Sequence, residues 1–109
     1  MNKGTFYIAT GVAGGTGIGT NVEEVQGTIV GSSLGVHKVG SSWTITHLPT
    51  GLSAVRDIRK KTNALGLAEK LNVVKGINKG KFGKPEYLRN KELEPMKGII
   101  DQFHKEQGD

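Results

Sequence analysis

Through the first half of the chain, apolar residues come in short runs broken by glycine and serine. In the second half they recur at helical spacing. Residues 5–10 carry Phe6-Tyr7-Ile8-Ala9 and predict a first strand. Residues 22–30 predict a second, with Gly27 as a bulge or a point of close backbone approach. Residues 34–39 predict a short third, between Gly31-Ser32-Ser33 and Gly40-Ser41-Ser42. The clearest hairpin comes next. Trp43-Thr44-Ile45-Thr46-His47-Leu48 is rich in β-branched and aromatic residues, as strands are. In Pro49-Thr50-Gly51 the proline presets φ and the glycine accepts the left-handed conformation that closes a three-residue loop. Pairing Leu48 with Leu52 would set Ile45 opposite Val55 and Trp43 opposite Asp57. Trp43, Ile45, His47 and Val55 would then share the core face, and Thr44, Thr46, Ala54 and Arg56 the other.

Two helices are expected. Thr62 is placed to cap the first, over about 62–72, and Asn72 to end it; Ala64, Leu67, Ala68 and Leu71 form its apolar stripe. Three turns are marginal alone, so this helix needs the sheet, on the face that carries Trp43. Val73-Val74 reads as a short strand, and 75–89 as a loop punctuated by Gly76, Gly80, Gly83 and Pro85. The second helix, about 95–107, has Pro95 at its first helical position and carries Met96, Ile99, Ile100 and Phe103 on one side. The expected class is α+β: a small, mostly antiparallel sheet of about five strands with both helices packed on one face, in a single domain spanning 1–109.

Charge is distributed unevenly. Residues 1–50 balance Lys3 and Lys38 against Glu23 and Glu24. Residues 56–91 hold eleven lysines and arginines against Asp57, Glu69 and Glu86, a net +8, and 92–109 is −3, giving +5 for all 109 residues. Such asymmetry points to a polyanionic partner. With no cysteine there is neither a disulfide nor a thiolate metal site. No run approaches the roughly 18 apolar residues of a membrane span, and the start lacks the pattern of a signal peptide. A cytoplasmic protein without a membrane partner is the expectation.

Three stretches bear on function. Thr10-Gly11-Val12-Ala13-Gly14-Gly15-Thr16-Gly17-Ile18-Gly19 comes after a predicted strand, and glycines let backbone N–H groups approach a phosphate. It resembles the Thr-Gly-x-x-x-Gly-x-Gly loop of short-chain dehydrogenases, and Gly14 to Gly17 resembles the glycine loop of tubulin-like GTPases. The residues after Gly19 depart from both families, with no full helix before Gly27 and no βαβ repeat, and no Lys-Ser/Thr pair completes the glycines as a Walker loop. A strand connector is the plainer reading of 11–19, and no cofactor is expected.

The second stretch is 75–91. Its lysines alternate with glycines, and Lys75, Lys79, Lys81, Lys84 and Arg89 suit phosphate contacts, while Phe82 and Tyr87 suit stacking on bases. The plain alternative is a solvated loop. The third is Arg59-Lys60-Lys61, just before the first helix, where positive charge opposes the helix dipole and a bound anion would relieve the conflict. His37, His47 and His104 lack metal-ligand spacing; His47 reads as a hydrogen-bonded histidine at the core edge and His104 as a rim residue beside Phe103. No carboxylate pair or nucleophile–base set stands out.

The aromatic–threonine strand, Pro-Thr-Gly turn, second strand and short helix of 43–72 resemble a module of small phage- and plasmid-encoded accessory proteins. That resemblance implies an accessory protein of a mobile element and brings no catalytic residues. The expectation is a non-enzymatic basic protein that contacts nucleic acid, DNA or RNA, through the phosphate backbone. A protein-binding modulator of a host or replication factor stands second, and nucleotide or phosphate binding by 11–19 third.

Overall fold

A computed structural model describes residues 2–10, 21–89 and 91–106. Five strands come first: β1 (Asn2–Thr10), β2 (Asn21–Val30), β3 (Leu34–Val39), β4 (Ser42–His47) and β5 (Leu52–Ile58). Helix α1 (Lys61–Asn72) is next, then two short 3-10 turns, Pro85–Arg89 and Lys91–Leu93, and helix α2 (Glu94–Glu106). The strands form one antiparallel meander in chain order. The class is α+β, as the periodicity predicts, and β3 has the expected bounds.

Each face of the sheet buries something different. Val30, Leu34, Val36, Ile45, Val55 and Ile58 meet Ala64, Leu67, Ala68 and Leu71 of α1 in the main core, joined by Val74, Ile77, Leu93 and Met96. Trp43 is half-buried at its margin, and Ile99, Ile100 and Phe103 of α2 pack against it. This is the expected tryptophan face. The opposite face is also buried, which alternation alone does not predict. Phe6 is 4% exposed, and its ring lies over Gly35, where a Cβ would stand 2.7 Å from Cζ. Thr46, the partner of Gly35, and Thr44 are buried with it. Gly27 is a close-approach site rather than a bulge: pairing runs unbroken from Asn2–Ile29 to Thr10–Asn21, and a Cβ on Gly27 would stand 3.0 Å from both the Phe6 ring and His37 Cβ. The Ala9 N–H donates to Gly51 O at 2.7 Å, so β1 curls over the sheet to reach the β4–β5 turn.

The β4–β5 register differs from the expected one. Ile45 does face Val55, but His47 pairs with Leu52, leaving a four-residue loop, and Trp43 pairs with Ile58 rather than Asp57. Two shifts in register intervene. Strand β5 gains a residue at each, and Asp57 takes φ 61°, a left-handed conformation that aspartate tolerates better than most side chains. Gly51, at φ 70°, closes the loop as its sequence predicts. Helix α1 starts at Lys61 with Lys60 as its N-cap and no side-chain cap bond, so Thr62 lies inside the first turn. Val73-Val74 forms no strand: Val74 is buried and Val73 exposed in a turn.

Candidate nucleic-acid interface

The candidate basic residues separate into two groups near opposite ends of β4, a strand about 17 Å long at roughly 3.3 Å per residue. The segment 75–89 docks at the β4–β5 turn. Gly83 N–H donates to Thr50 O at 2.8 Å, and the Phe82 ring occupies the space beside Gly51. Buried His47 ties the segment to the sheet. The Ile77 carbonyl can only accept, so His47 Nε2–H donates to it, at 2.6 Å. That leaves Nδ1 to accept from Thr50 Oγ1 at 2.9 Å. Burial holds the His47 pKa below its ordinary value, with the Ile77 bond opposing. The expected hydrogen-bonded histidine is thus present, and fully enclosed.

This docking changes the reading of the loop. Lys75, Lys81 and Lys84 are exposed, but Lys79 pairs with Glu92 at 3.1 Å. Phe82 is 38% exposed, with its ring against Gly51, and Tyr87 is half-buried in a 3-10 turn. Arg89 ends that turn; its side chain and the glycine-rich 11–19 lie outside the described residues.

At the other end, Arg59 and Lys60 are exposed on the link from β5 to α1. Lys61 opens α1 and sets its Nζ 5.5 Å from the centre of the Trp43 ring, a cation–π distance. Two lysines that sequence reasoning passed over complete the surroundings. Lys38 pairs directly with Trp43 across the Gly40-Ser41 turn, and Lys3 pairs with Thr28 on the same sheet face. The ladder between β2 and β3 covers only Thr28–Val36 to Val30–Leu34. Beyond it a groove of about 460 Å³ opens, lined by Lys3, Gln26, Thr28, Lys38, Trp43 and Lys61 among others. The missed signal was legible in part: Gly40-Ser41 is a two-residue hairpin loop with Gly40 at φ 62°, and such a loop sets Lys38 opposite Trp43.

The first turn of α1 holds no acidic residue, so no carboxylate of that turn offsets the cations 59–61 against the helix dipole. Among the described residues, no group of three or more histidine or carboxylate side chains could hold a metal ion. No helix among them is long and apolar enough to cross a membrane. No protein-family model, curated protein or solved structure matches the chain.

Proposed function

We propose that this chain is a nucleic-acid-binding accessory protein that grips the phosphate backbone with the groove around Trp43. One observation carries the reading: lysines from β1, β3 and α1, distant in sequence, line one groove. Clustered flexible cations at one surface site raise the local potential and attract polyanions. Each lysine that meets a phosphate releases condensed counterions, which makes binding fall with salt. Arg59 and Lys60 adjoin Lys61 in the chain but line a separate pocket with Asp57 and His104, so they add charge near the groove rather than to its lining. The loop lysines 75, 81 and 84 lie at the far end and would serve a long ligand as secondary contacts.

Electrophoretic mobility shift with DNA and with RNA at two salt concentrations tests the proposal. Retention at low salt that weakens steeply at the higher concentration is the expected result. Absence of retention at low salt for both polymers would remove the proposal and leave a protein partner as the reading to pursue.

A further inference from the structure

We infer that the groove takes single-stranded polynucleotide, with one unpaired base stacked on Trp43; this rests on the nucleic-acid reading of the same groove. A duplex needs only cations from its protein partner, because its base faces are hidden in the stack. Here an indole is set among the cations. Trp43 is half-buried against the core, which fixes its orientation, and the same residue lines the groove. A π-face available to any base is what single-strand binders use, alongside a positive track for the backbone. Lys61 lies over the same ring. Lys61 is exposed, so a phosphate that draws its ammonium off the ring leaves that face to the neighbouring base.

The polar residues fit the same ligand. Gln26 and Thr28 line the groove opposite Lys38 and can donate to and accept from the edge of an unpaired base. At about 460 Å³ the groove falls in the range, roughly 300–1,000 Å³, of pockets that hold small molecules, so a nucleotide-sized group fits. Phe82 is the more exposed ring, but it lies against Gly51 at the far end and does not line the groove that gathers Lys3, Lys38 and Lys61. Tyr87 is half-buried on a 3-10 turn at the same far end.

Trp43 is the sole tryptophan of the chain, so its emission reports on this groove alone. Wild-type protein is titrated with oligothymidine, oligouridine, an abasic oligomer of equal length and a duplex, with fluorescence and mobility shift followed together. Stacking should quench the emission with the two base-bearing single strands; the abasic strand and the duplex should bind more weakly and leave the emission almost unchanged. Trp43→Leu should weaken single-strand binding by about 5- to 150-fold, equivalent to about 1–3 kcal/mol, and leave duplex binding as it was. Trp43→Phe should recover most of the loss, and circular dichroism checks that both variants fold. Comparison of thymidine with uridine oligomers assigns the sugar preference. Mobility shifts with no change in emission, or duplex bound at least as tightly as single strand, would overturn the single-strand inference while the nucleic-acid reading stood. No shift with any polymer would overturn both.

Discussion

Replacing Gly35 by alanine tests how β1 closes over the sheet. A Cβ at that position would lie 2.7, 2.8 and 2.9 Å from three atoms of the Phe6 ring. Carbon atoms rest at about 3.5–4.0 Å, so the ring must retreat by about 1 Å. It has little room to do so, because the same ring stands 3.0 Å from the Cβ position of Gly27 and makes an edge contact with His37, centroids 5.6 Å apart. Overpacking of this kind costs about 1–3 kcal/mol. With Phe6→Ala in the background the obstacle is gone. There Gly35→Ala should be neutral or stabilising by up to about 1 kcal/mol, since glycine within a strand is unfavourable relative to alanine. Phe6→Ala alone should cost about 3–5 kcal/mol. Urea unfolding followed by Trp43 emission, on the four proteins of the cycle, gives the coupling energy, expected at about 1–4 kcal/mol. Equal costs of Gly35→Ala in both backgrounds would mean that Phe6 does not fill the space above Gly35, and the packing of β1 over the sheet would be wrong.

Three further outcomes turn on particular residues. Asp57→Val should destabilise by about 1–2 kcal/mol, because a β-branched residue resists φ 61°, while Asp57→Gly should be tolerated; equal effects in urea melts would argue against the left-handed bulge. His47→Phe removes both the donor to Ile77 and the acceptor for Thr50 from a buried site, and an unsatisfied buried polar group costs about 1–3 kcal/mol, so the midpoint should fall and proteolysis within 75–89 should quicken. Burial lowers the pKa of both His37 and His47, against a raising effect from Glu23 in the first case and from the Ile77 bond in the second. The unfolded chain then binds more protons than the native one below about pH 6.5, so the histidine contribution is present above that pH and is lost as pH falls through the lowered native values. His37→Phe should therefore lose less stability than wild type between pH 7 and pH 5, and an equal or larger loss would contradict the sign.

Much of the fold is legible in the sequence because its signals are local. Alternation marks the strands, the stripe of Ala64, Leu67, Ala68 and Leu71 marks α1, and Gly51 marks its turn. What is hidden depends on pairs distant in the chain. Gly35 and Gly27 look like gaps until Phe6 is seen to fill them. A turn one residue longer than expected and two bulges together set Trp43 opposite Ile58 rather than Asp57, and no residue type announces the bulges, since aspartate at φ 61° is uncommon. The loop after α1 reads as solvated from its lysines, but buried Val74 and Ile77 and the His47 bond dock it. Among the candidate site residues, Lys61 was visible as part of a charge run. Lys38 was legible in part, from the Gly40-Ser41 turn, but Lys3 was not, because its place in the groove also requires the β1–β2 register.

The most direct test compares two triple variants by the salt dependence of their binding to single-stranded oligonucleotides too short to span from the groove to the loop. Lys3→Ala/Lys38→Ala/Lys61→Ala strips the groove, and Lys79→Ala/Lys81→Ala/Lys84→Ala strips the loop at the far end by an equal charge. Every one of these lysines is exposed, so both variants should fold. Each phosphate contact on a single strand contributes about 0.7 to the slope of log K against log salt. The groove variant should lose affinity and flatten the slope by about 2, while the loop variant should stay close to wild type. Wild-type affinity and slope in the groove variant, with the losses falling on the loop variant instead, would contradict the assignment of the binding surface to the lysines around Trp43.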